Sequence, residues 1–252
     1  MEVKNAVIMA GGEGLRMKPV SDYLPKFCLP IYDKPLIIKQ IEWLHSSGVG
    51  RIILTVSKKF GSVISNVLSN CEYTNMIEIV EEEDAKGLGY SLLEIKNILN
   101  KEDFILLLGD EYFDCPKFFD GIKNFNSNDI ILGAVEYSEA DTIMQGCNLK
   151  IDEHKGEVTE LIEKPERFQI VSNWCWSGVA VLNQDLMSEL EKLYSNYQMK
   201  GNQIIIDSLN NLAKRGIPVK VIKEKCNNIN LTTIEDYYRA FRLEYVVRNG
   251  GE

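Results

Sequence analysis

Several features of secreted, membrane and nucleic-acid-binding proteins are missing from this sequence of 252 residues. The longest clean apolar run near its middle, 104–108, is far too short to cross a bilayer. No charged segment followed by an apolar one opens the chain, so we expect no export signal. Acidic residues outnumber basic ones by 37 to 28, whereas nucleic-acid-binding proteins normally carry a basic excess. We therefore predict a cytoplasmic protein with neither a membrane nor a nucleic acid as partner.

Cysteine and histidine are too few and too scattered to predict a metal centre of their own. The six cysteines form no Cys-x-x-Cys pair, and the only two histidines are His45 and His154. A zinc site needs closely spaced ligands of these types, and a disulfide-stabilised domain is normally short and dense in cysteine. The sequence therefore predicts reduced thiols.

Strand-like and helix-like segments alternate along the chain, which is typical of a sheet covered by helices. Apolar runs such as 103–110 are typical of strands buried in a parallel sheet, and alternation around Lys155–Gly156 predicts a β-hairpin over 148–165. We predict an α/β fold: a Rossmann-like, doubly wound, mostly parallel sheet with a β-hairpin elaboration, in a single domain of residues 1–252. Further strands are predicted over 3–10, 51–57, 76–80, 129–138, 175–183 and 219–223, and helices over 35–47, 61–69, 90–99, 184–193, 204–214 and 233–247.

The glycine-rich segment after the first strand, AGGEGLRMKP over 10–19, narrows the choice of ligand. A dinucleotide-binding turn needs a third glycine at the start of a helix, and a helix does not readily run through Pro19. A P-loop needs lysine and then serine or threonine directly after its last glycine, and neither is present. A turn without a ligand would not explain why Arg16 and Lys26 follow. The remaining interpretation is an ordered loop that folds over a nucleoside triphosphate.

Glycine and cationic side chains suit such a loop for separate reasons. The backbone N–H groups of Gly11, Gly12 and Gly14 can approach phosphate oxygens because no Cβ intervenes. Arg16 offers a bidentate fork to phosphate, and Lys26 offers a point charge.

A longer pattern contains this loop: Gly11, Gly12, Gly14, Arg16, Pro19, Ser21, Pro25, Lys26, Pro30 and Ile31. In order and spacing it resembles the signature of the sugar-phosphate nucleotidyltransferases (nucleoside-diphosphate-sugar pyrophosphorylases), and LPIYDKPLI resembles their glucose-1-phosphate thymidylyltransferase branch. The resemblance implies the nucleotide-diphospho-sugar transferase fold, with a nucleotide-binding half over about 1–110 and a sugar-phosphate-binding half over about 111–252. It also implies transfer of a nucleoside monophosphate from a triphosphate to a sugar 1-phosphate, with release of pyrophosphate. The expected pathway is nucleotide-sugar synthesis for surface polysaccharide.

The same resemblance implies roles for individual residues. Catalytic roles fall to Arg16, Lys26, Asp110 and Lys164, and nucleotide binding to Ala10, Gly11, Gly12, Gly14, Glu82 and Gly87. The sugar phosphate would contact Gly146, Glu163, Lys164, Asn173 and Lys200, and Mg²⁺ would bind Asp110 and Asn230. Family members often form homo-oligomers. No β-helix repeat follows the domain, so no acetyltransferase activity is expected.

Several positions depart from the family pattern, among them Asn228, which stands where the family has a tryptophan. Asn230 stands where the family has its second metal-binding aspartate. An amide oxygen can bind a hard cation but brings no negative charge, so Mg²⁺ should bind more weakly unless Glu111 or Asp207 compensates. Gln145 and Asn202 replace a tyrosine and a glutamate near the sugar. The alternatives are therefore an unusual sugar, a non-sugar phosphate acceptor, or a regulatory homologue that binds nucleotide-sugar without turnover.

The preferred base is predicted from Glu82, which lies five residues before Gly87, where the thymidylyl branch has glutamine. A carboxylate only accepts hydrogen bonds, which suits the amino group of cytosine or the N1–H and N2–H₂ edge of guanine. The N3–H of thymine or uracil also suits it, but repelling carbonyls flank that group. The sequence favours CTP or GTP, with UTP or TTP and an acidic surface loop without a ligand as alternatives.

Overall fold

The computed structural model describes residues 3–83, 87–114, 117–126, 129–197 and 203–250. Its strands are β1 Asn5–Ala10, β2 Pro30–Ile31, β3 Lys34–Pro35, β4 Arg51–Ser57, β5 Ile77–Glu82, β6 Phe104–Leu108, β7 Glu111–Phe113, β8 Ile130–Glu136, β9 Cys147–Asp152, β10 Glu157–Glu163, β11 Trp174–Leu182, β12 Val219–Glu224 and β13 Asn228–Asn230. Its α-helices are α1 Val20–Tyr23, α2 Leu36–Ser46, α3 Gly61–Leu68, α4 Leu88–Glu94, α5 Lys96–Leu99, α6 Phe118–Gly121, α7 Ala140–Ile143, α8 Gln184–Tyr197, α9 Gln203–Lys214 and α10 Ile234–Arg248. None of these helices combines the length and apolar character that crossing a membrane requires.

The chain divides into two compact units. Of the described residues, the N-terminal unit contains 4–83, 107–114, 117–119 and 226–250. The central unit contains 3, 87–106, 120–126, 129–197 and 203–225. Strand β6 begins in the central unit and ends in the N-terminal unit. The division near residue 110 into a nucleotide half and a sugar-phosphate half stays a prediction.

The N-terminal unit contains a parallel sheet with the strand order β5-β4-β1. Ala10, the last residue of β1, pairs with Val56, and Glu82, the last residue of β5, pairs with Ser57. Because the three strands run in the same direction, their carboxyl ends lie at one edge of the sheet, where α/β folds bind ligands. The predicted parallel strands are confirmed here, and the glycine loop leaves the sheet from this edge.

The central unit contains a mixed sheet with the order β11-β8-β12-β10-β9. Strands β8 and β12 are parallel, whereas β11–β8, β10–β12 and β10–β9 are antiparallel, and β9 also pairs with β11. The predicted hairpin is confirmed, with Gly156 in the left-handed region at its turn (φ 66°). Apolar periodicity indicates that a segment is a strand but not the direction in which it runs. For this reason the central unit contains more antiparallel strand pairs than the predicted, mostly parallel sheet.

The segments around the two loops of interest follow their local chemistry. After the glycine loop come only a 3₁₀ turn, Leu15–Met17, and the four-residue α1, so the prediction that no long helix follows is confirmed. The helix predicted over 90–99 begins at Leu88, after Gly87 with φ 99°, and is interrupted at Ile95. Strand β6 ends at Leu108 rather than 110, because Gly109 and Asp110 form a turn into β7.

Candidate functional site

The glycine loop folds back over the segment that carries Lys26. Gly14 adopts a left-handed conformation (φ 64°), and its carbonyl accepts the N–H of Met17 at 2.8 Å. A methyl group added at Gly14 would lie 3.2 Å from Cβ of Ser21 and 3.9 Å from Cδ of Lys26. Glycine is the residue that adopts this conformation without strain. The loop and the Lys26 side chain are therefore neighbours within the N-terminal unit.

Glu82 lies against the same loop. It is the last residue of β5, and a methyl group added at Gly11 would lie 3.0 Å from its Oε2 atom. At Gly12 an added methyl group would meet nothing within 4 Å, so this part of the loop is open. The Glu82 carboxylate, which is predicted to bind the base, therefore lies next to the glycines that are predicted to bind the phosphates.

Asp110 and Lys26 form an ion pair at the edge of the sheet. The ammonium of Lys26 donates to Oδ2 of Asp110, and the two side chains are 14% and 22% exposed. The turn that carries Asp110 packs on the end of β1, because the N–H of Gly109 donates to the carbonyl of Met9 at 2.9 Å. A methyl group at Gly109 would lie 3.0 Å from Cβ of Ala10. Asp110, Lys26 and the glycine loop therefore form one cluster.

Arg16 is placed differently from Lys26. It lies in the 3₁₀ turn after Gly14, and its side chain is exposed. Within the described part of the chain the Arg16 guanidinium forms no ion pair. Its donors are consequently available to an anionic ligand, whereas those of Lys26 are engaged by a carboxylate.

A second carboxylate, Glu111, stands next to Asp110 and opposite Asn230. Strand β13 pairs with β7 so that Asn230 faces Glu111. Oε1 of Glu111 accepts from the Asn230 amide at 2.7 Å, and Oε2 accepts from the Asn228 amide at 2.8 Å. Burial, and then the charge of Asp110, raise the pKa of Glu111 to about 8, although both amides act in the opposite direction. With a pKa of about 8, Glu111 is largely protonated at pH 7, so it does not by itself restore the negative charge that the family pattern has at position 230.

The oxygen atoms at Asp110 and Asn230 fit a hard cation. Asn230 is exposed, and its Oδ1 accepts a hydrogen bond from the hydroxyl of Thr232 at 2.6 Å. Among the described residues no group of three or more histidine, cysteine, aspartate or glutamate side chains is arranged to hold a metal ion. Mg²⁺ commonly binds one or two carboxylates and completes its shell with water and substrate phosphates, so a larger group of protein ligands is not required, and a metal site at Asp110 and Asn230 stays a prediction. Asp207 is instead hydrogen-bonded by Gln203 within α9, at 2.9 Å.

In the central unit the structure brings together Gly146, Glu163 and Lys164. The N–H of Lys164 donates to the carbonyl of Gly146 at 2.8 Å, and Lys164 has a left-handed backbone (φ 47°). The Lys164 side chain is exposed. Burial raises the pKa of Glu163, and the charge of Lys164 opposes that shift. Lys200 and Asn202 lie outside the described residues.

The backbone on both sides of Asn173 is hydrogen-bonded by Asn148, a residue that the sequence analysis did not single out. The Asn148 side chain is fully buried in β9. Its amide donates to the carbonyls of Ser172 and Trp174, both at 2.9 Å, and its oxygen accepts the N–H of Val171 at 2.9 Å. The only signal in the sequence was a polar residue between apolar ones, which does not reveal its partners.

Comparison with known proteins gives a match to the family model described as nucleotidyl transferase over residues 5–243. A bifunctional sugar-1-phosphate nucleotidylyltransferase/acetyltransferase of Sulfurisphaera tokodaii is 28% identical over 83% of this chain and 48% of its own length. The low-salt glycan biosynthesis nucleotidyltransferase Agl11 of Haloferax volcanii is 26% identical over 84% of this chain and 58% of its own. A UTP–glucose-1-phosphate uridylyltransferase of Staphylococcus saprophyticus is 27% identical over 75% and 74%. The chain thus spans about half the length of the first two relatives.

Solved structures share the fold at lower identity. UDP-glucose pyrophosphorylase complexed with UDP-glucose superimposes with a TM-score of 0.81, at 22% identity, over 96% of this chain and 98% of that one. A putative glucose-1-phosphate thymidylyltransferase from Bacillus anthracis, in complex with a sucrose, also gives 0.81, at 19% identity, over 96% and 95%. These two similarities establish the α/β fold that the sequence predicted.

Proposed function

Because the chain belongs to the nucleotidyl transferase family, as the sequence predicted, we propose that it transfers a nucleoside monophosphate from a nucleoside triphosphate to a sugar 1-phosphate. The observation that carries this proposal is the cluster of Lys26, Asp110 and the glycine loop at the carboxyl edge of the parallel sheet. The activities for which two relatives are named, sugar-1-phosphate nucleotidylyltransferase and UTP–glucose-1-phosphate uridylyltransferase, support it.

The reaction needs positioning and charge neutralisation rather than a general base. A phosphate oxygen of the acceptor, already an anion, attacks the α-phosphorus in line. The new O–P bond forms as the bond between the α-phosphorus and the bridging oxygen breaks, and the electron pair leaves with pyrophosphate. Lys26 would neutralise the α-phosphate, Arg16 the β- and γ-phosphates and Lys164 the incoming phosphate. Mg²⁺ at Asp110 and Asn230 would supply further charge neutralisation.

The ion pair between Lys26 and Asp110 has a direct use in this chemistry. It holds the ammonium beside the glycine loop before a nucleotide arrives, so little reorganisation is needed when phosphate replaces the carboxylate. A divalent cation bound at Asp110 would then neutralise the carboxylate in place of the Lys26 ammonium.

For the base we propose CTP or GTP, on the strength of Glu82. Its carboxylate lies against Gly11 and only accepts hydrogen bonds. The relatives include enzymes whose names specify UTP, so UTP and TTP belong in the test. Surface polysaccharide as the destination and a homo-oligomeric state likewise stay predictions from the sequence.

The test is pyrophosphate release with Mg²⁺, crossing CTP, GTP, UTP, TTP and ATP against a panel of sugar 1-phosphates and one non-sugar phosphate. We expect turnover with CTP or GTP that is lost in Asp110→Asn. Turnover only with UTP or TTP would retain the reaction and refute the proposed role of Glu82. Turnover only with the non-sugar phosphate would refute the proposal that the acceptor is a sugar 1-phosphate.

One observation favours a second candidate, a homologue that binds nucleotide-sugar without turnover. Both ends of the Asn230 amide are engaged, by Glu111 and by Thr232, and the amide carries no charge toward a cation. Calorimetric binding of a nucleotide-sugar to a protein without pyrophosphate release would support this candidate. If Asn230→Asp then gained turnover, weak metal binding would be the reason why the wild-type protein has none.

A further inference from the structure

A buried glutamine of α2 bridges the two ends of the turn that carries Asp110. The side chain of Gln40 is fully buried. Its Nε2 group donates one hydrogen bond to the carbonyl of Leu108 and one to the carbonyl of Glu111, both at 3.0 Å. These two carbonyls immediately precede and follow Gly109 and Asp110. The last residue of β6 and the first residue of β7 are therefore tied to one amide group.

Backbone groups hold the two residues between them. The N–H of Gly109 donates to the carbonyl of Met9 at 2.9 Å, and the carbonyl of Asp110 accepts the N–H of Leu231 at 2.8 Å. The four contacts come from β1, α2 and the segment after β13. Of the four, the two that Gln40 provides depend on a side chain and can be removed by substitution.

The orientation of the Gln40 amide is determined by its surroundings. With the amide reversed, Oε1 would face two carbonyl oxygens, and both contacts would become repulsive. As placed, Oε1 is buried and has no hydrogen-bond partner in the described structure. A buried acceptor without a partner is unfavourable, and an apolar residue of similar size would avoid it. Packing alone therefore does not account for glutamine here, whereas its two N–H groups do.

We propose that Gln40 is a positioning residue for Asp110. It sets the separation between the ends of β6 and β7 and thereby directs the Asp110 carboxylate toward Lys26 and toward a bound divalent cation. This inference rests on the proposed function for its kinetic consequence, but its structural consequence does not depend on any substrate.

Two variants and one control test it. Gln40→Met has a similar length and no N–H donors, so both bridging contacts are lost with little change in volume. Gln40→Asn keeps the amide but is one methylene shorter, so its N–H groups still point toward the two carbonyls from a greater distance and we expect a smaller effect of the same kind. The control is Asn183→Ala, which removes a buried amide that accepts the N–H groups of Asp185 and Leu186 at the start of α8, in the central unit.

The first readout is a crystal structure of Gln40→Met without ligands. We expect the Asp110 carboxylate to move away from Lys26. The second is Mn²⁺ titration followed by electron paramagnetic resonance, in which affinity should fall about tenfold, as is common when a group that orients a ligand is removed. The third is the kinetic split: kcat should fall about tenfold or more, while KM for the nucleotide changes less than about threefold. Asn183→Ala, at comparable loss of stability, should show none of these effects.

The outcomes separate this inference from the proposed function. If wild-type protein turns over no substrate pair, yet Asp110 moves and Mn²⁺ binds more weakly in Gln40→Met, the positioning role stands and the proposed reaction falls. If the Lys26–Asp110 pair is unchanged in the variant crystal, and Mn²⁺ affinity and kcat follow those of Asn183→Ala, the inference is overturned and Gln40 only packs.

Discussion

Replacement of Glu244 by glutamine tests how much the buried ion pair between α10 and α2 contributes to stability. Glu244 accepts hydrogen bonds from Lys39 at 2.7 Å, from the hydroxyl of Tyr112 at 2.6 Å and from Nε of Arg248 at 3.0 Å. The Lys39 side chain is only 4% exposed, and its other partner is Asp33 at 2.9 Å. Glu244→Gln keeps the shape but leaves the charge of Lys39 partly uncompensated.

The expected loss in the free energy of unfolding at pH 7 is about 3 kcal/mol. Removing one partner of a buried ion pair commonly costs about 3–5 kcal/mol. The lower end applies because Asp33 still pairs with Lys39 and because Arg248, 53% exposed, can be solvated. For a chain of this size such a loss lowers Tm by about 6–12 °C.

The loss should also depend on pH. Burial by itself raises the pKa of Glu244, but hydrogen bonds from Lys39, Tyr112 and Arg248 lower it below the ordinary 4.5. A carboxyl group with a lowered folded-state pKa stabilises the fold above its unfolded-state pKa, and that stabilisation is lost as pH falls through the folded value. The difference between wild type and Glu244→Gln should therefore be full at pH 7 and shrink below pH 4.5.

Urea denaturation at several pH values measures this difference. The matched control is Glu235→Gln, because Glu235 is exposed in the first turn of the same helix and should lose no more than about 1 kcal/mol of helix-dipole interaction. A loss below 1 kcal/mol for Glu244→Gln at pH 7, or one that stays constant down to pH 3, would refute the reasoning.

Three further substitutions test particular contacts. Gly89→Ala should lose about 1–3 kcal/mol of stability on urea denaturation, because the added methyl group overlaps Cγ2 of Ile204. The control is Gly50→Ala, because a methyl group added there meets nothing within 4 Å. Equal losses for the two variants would contradict the packing argument. Asn148→Leu should raise KM for the sugar phosphate about tenfold but leave KM for the nucleotide unchanged, and a reversed pattern would count against its positioning role. Glu82→Gln should shift kcat/KM from CTP or GTP toward UTP or TTP, and an unchanged preference would remove Glu82 from base recognition.

Local chemistry made much of the fold predictable from the sequence. Pro19, a few residues after Gly14, predicted that no long helix would follow the loop, and the structure confirms it. Apolar runs predicted β1, β4 and β6 because a buried strand must be apolar on both faces. The family resemblance assigned Asp110 to the site, and the structure places it just after the end of β6, where the N–H of Gly109 donates to the carbonyl of Met9 in β1.

Contacts between segments that are far apart along the chain could not be predicted from the sequence. Glu111 meets Asn230 because β7 pairs with β13 in one particular register, across 119 positions of the chain. The polar position of Gln40 within α2 was visible, but not the two carbonyls that it bridges, since these depend on how β6 and β7 pass the helix. Residue type revealed that a group was polar, and only tertiary structure revealed its partner.

Transfer of a nucleoside monophosphate to a phosphate acceptor can be followed by ³¹P NMR of the protein incubated with Mg²⁺, CTP or GTP, and a sugar 1-phosphate. We expect pyrophosphate and a nucleoside diphosphate-sugar to appear in equal amounts, and neither to appear with Asp110→Asn. Release of inorganic phosphate with a free nucleoside diphosphate would contradict it, because the bond broken would then lie between the β- and γ-phosphates.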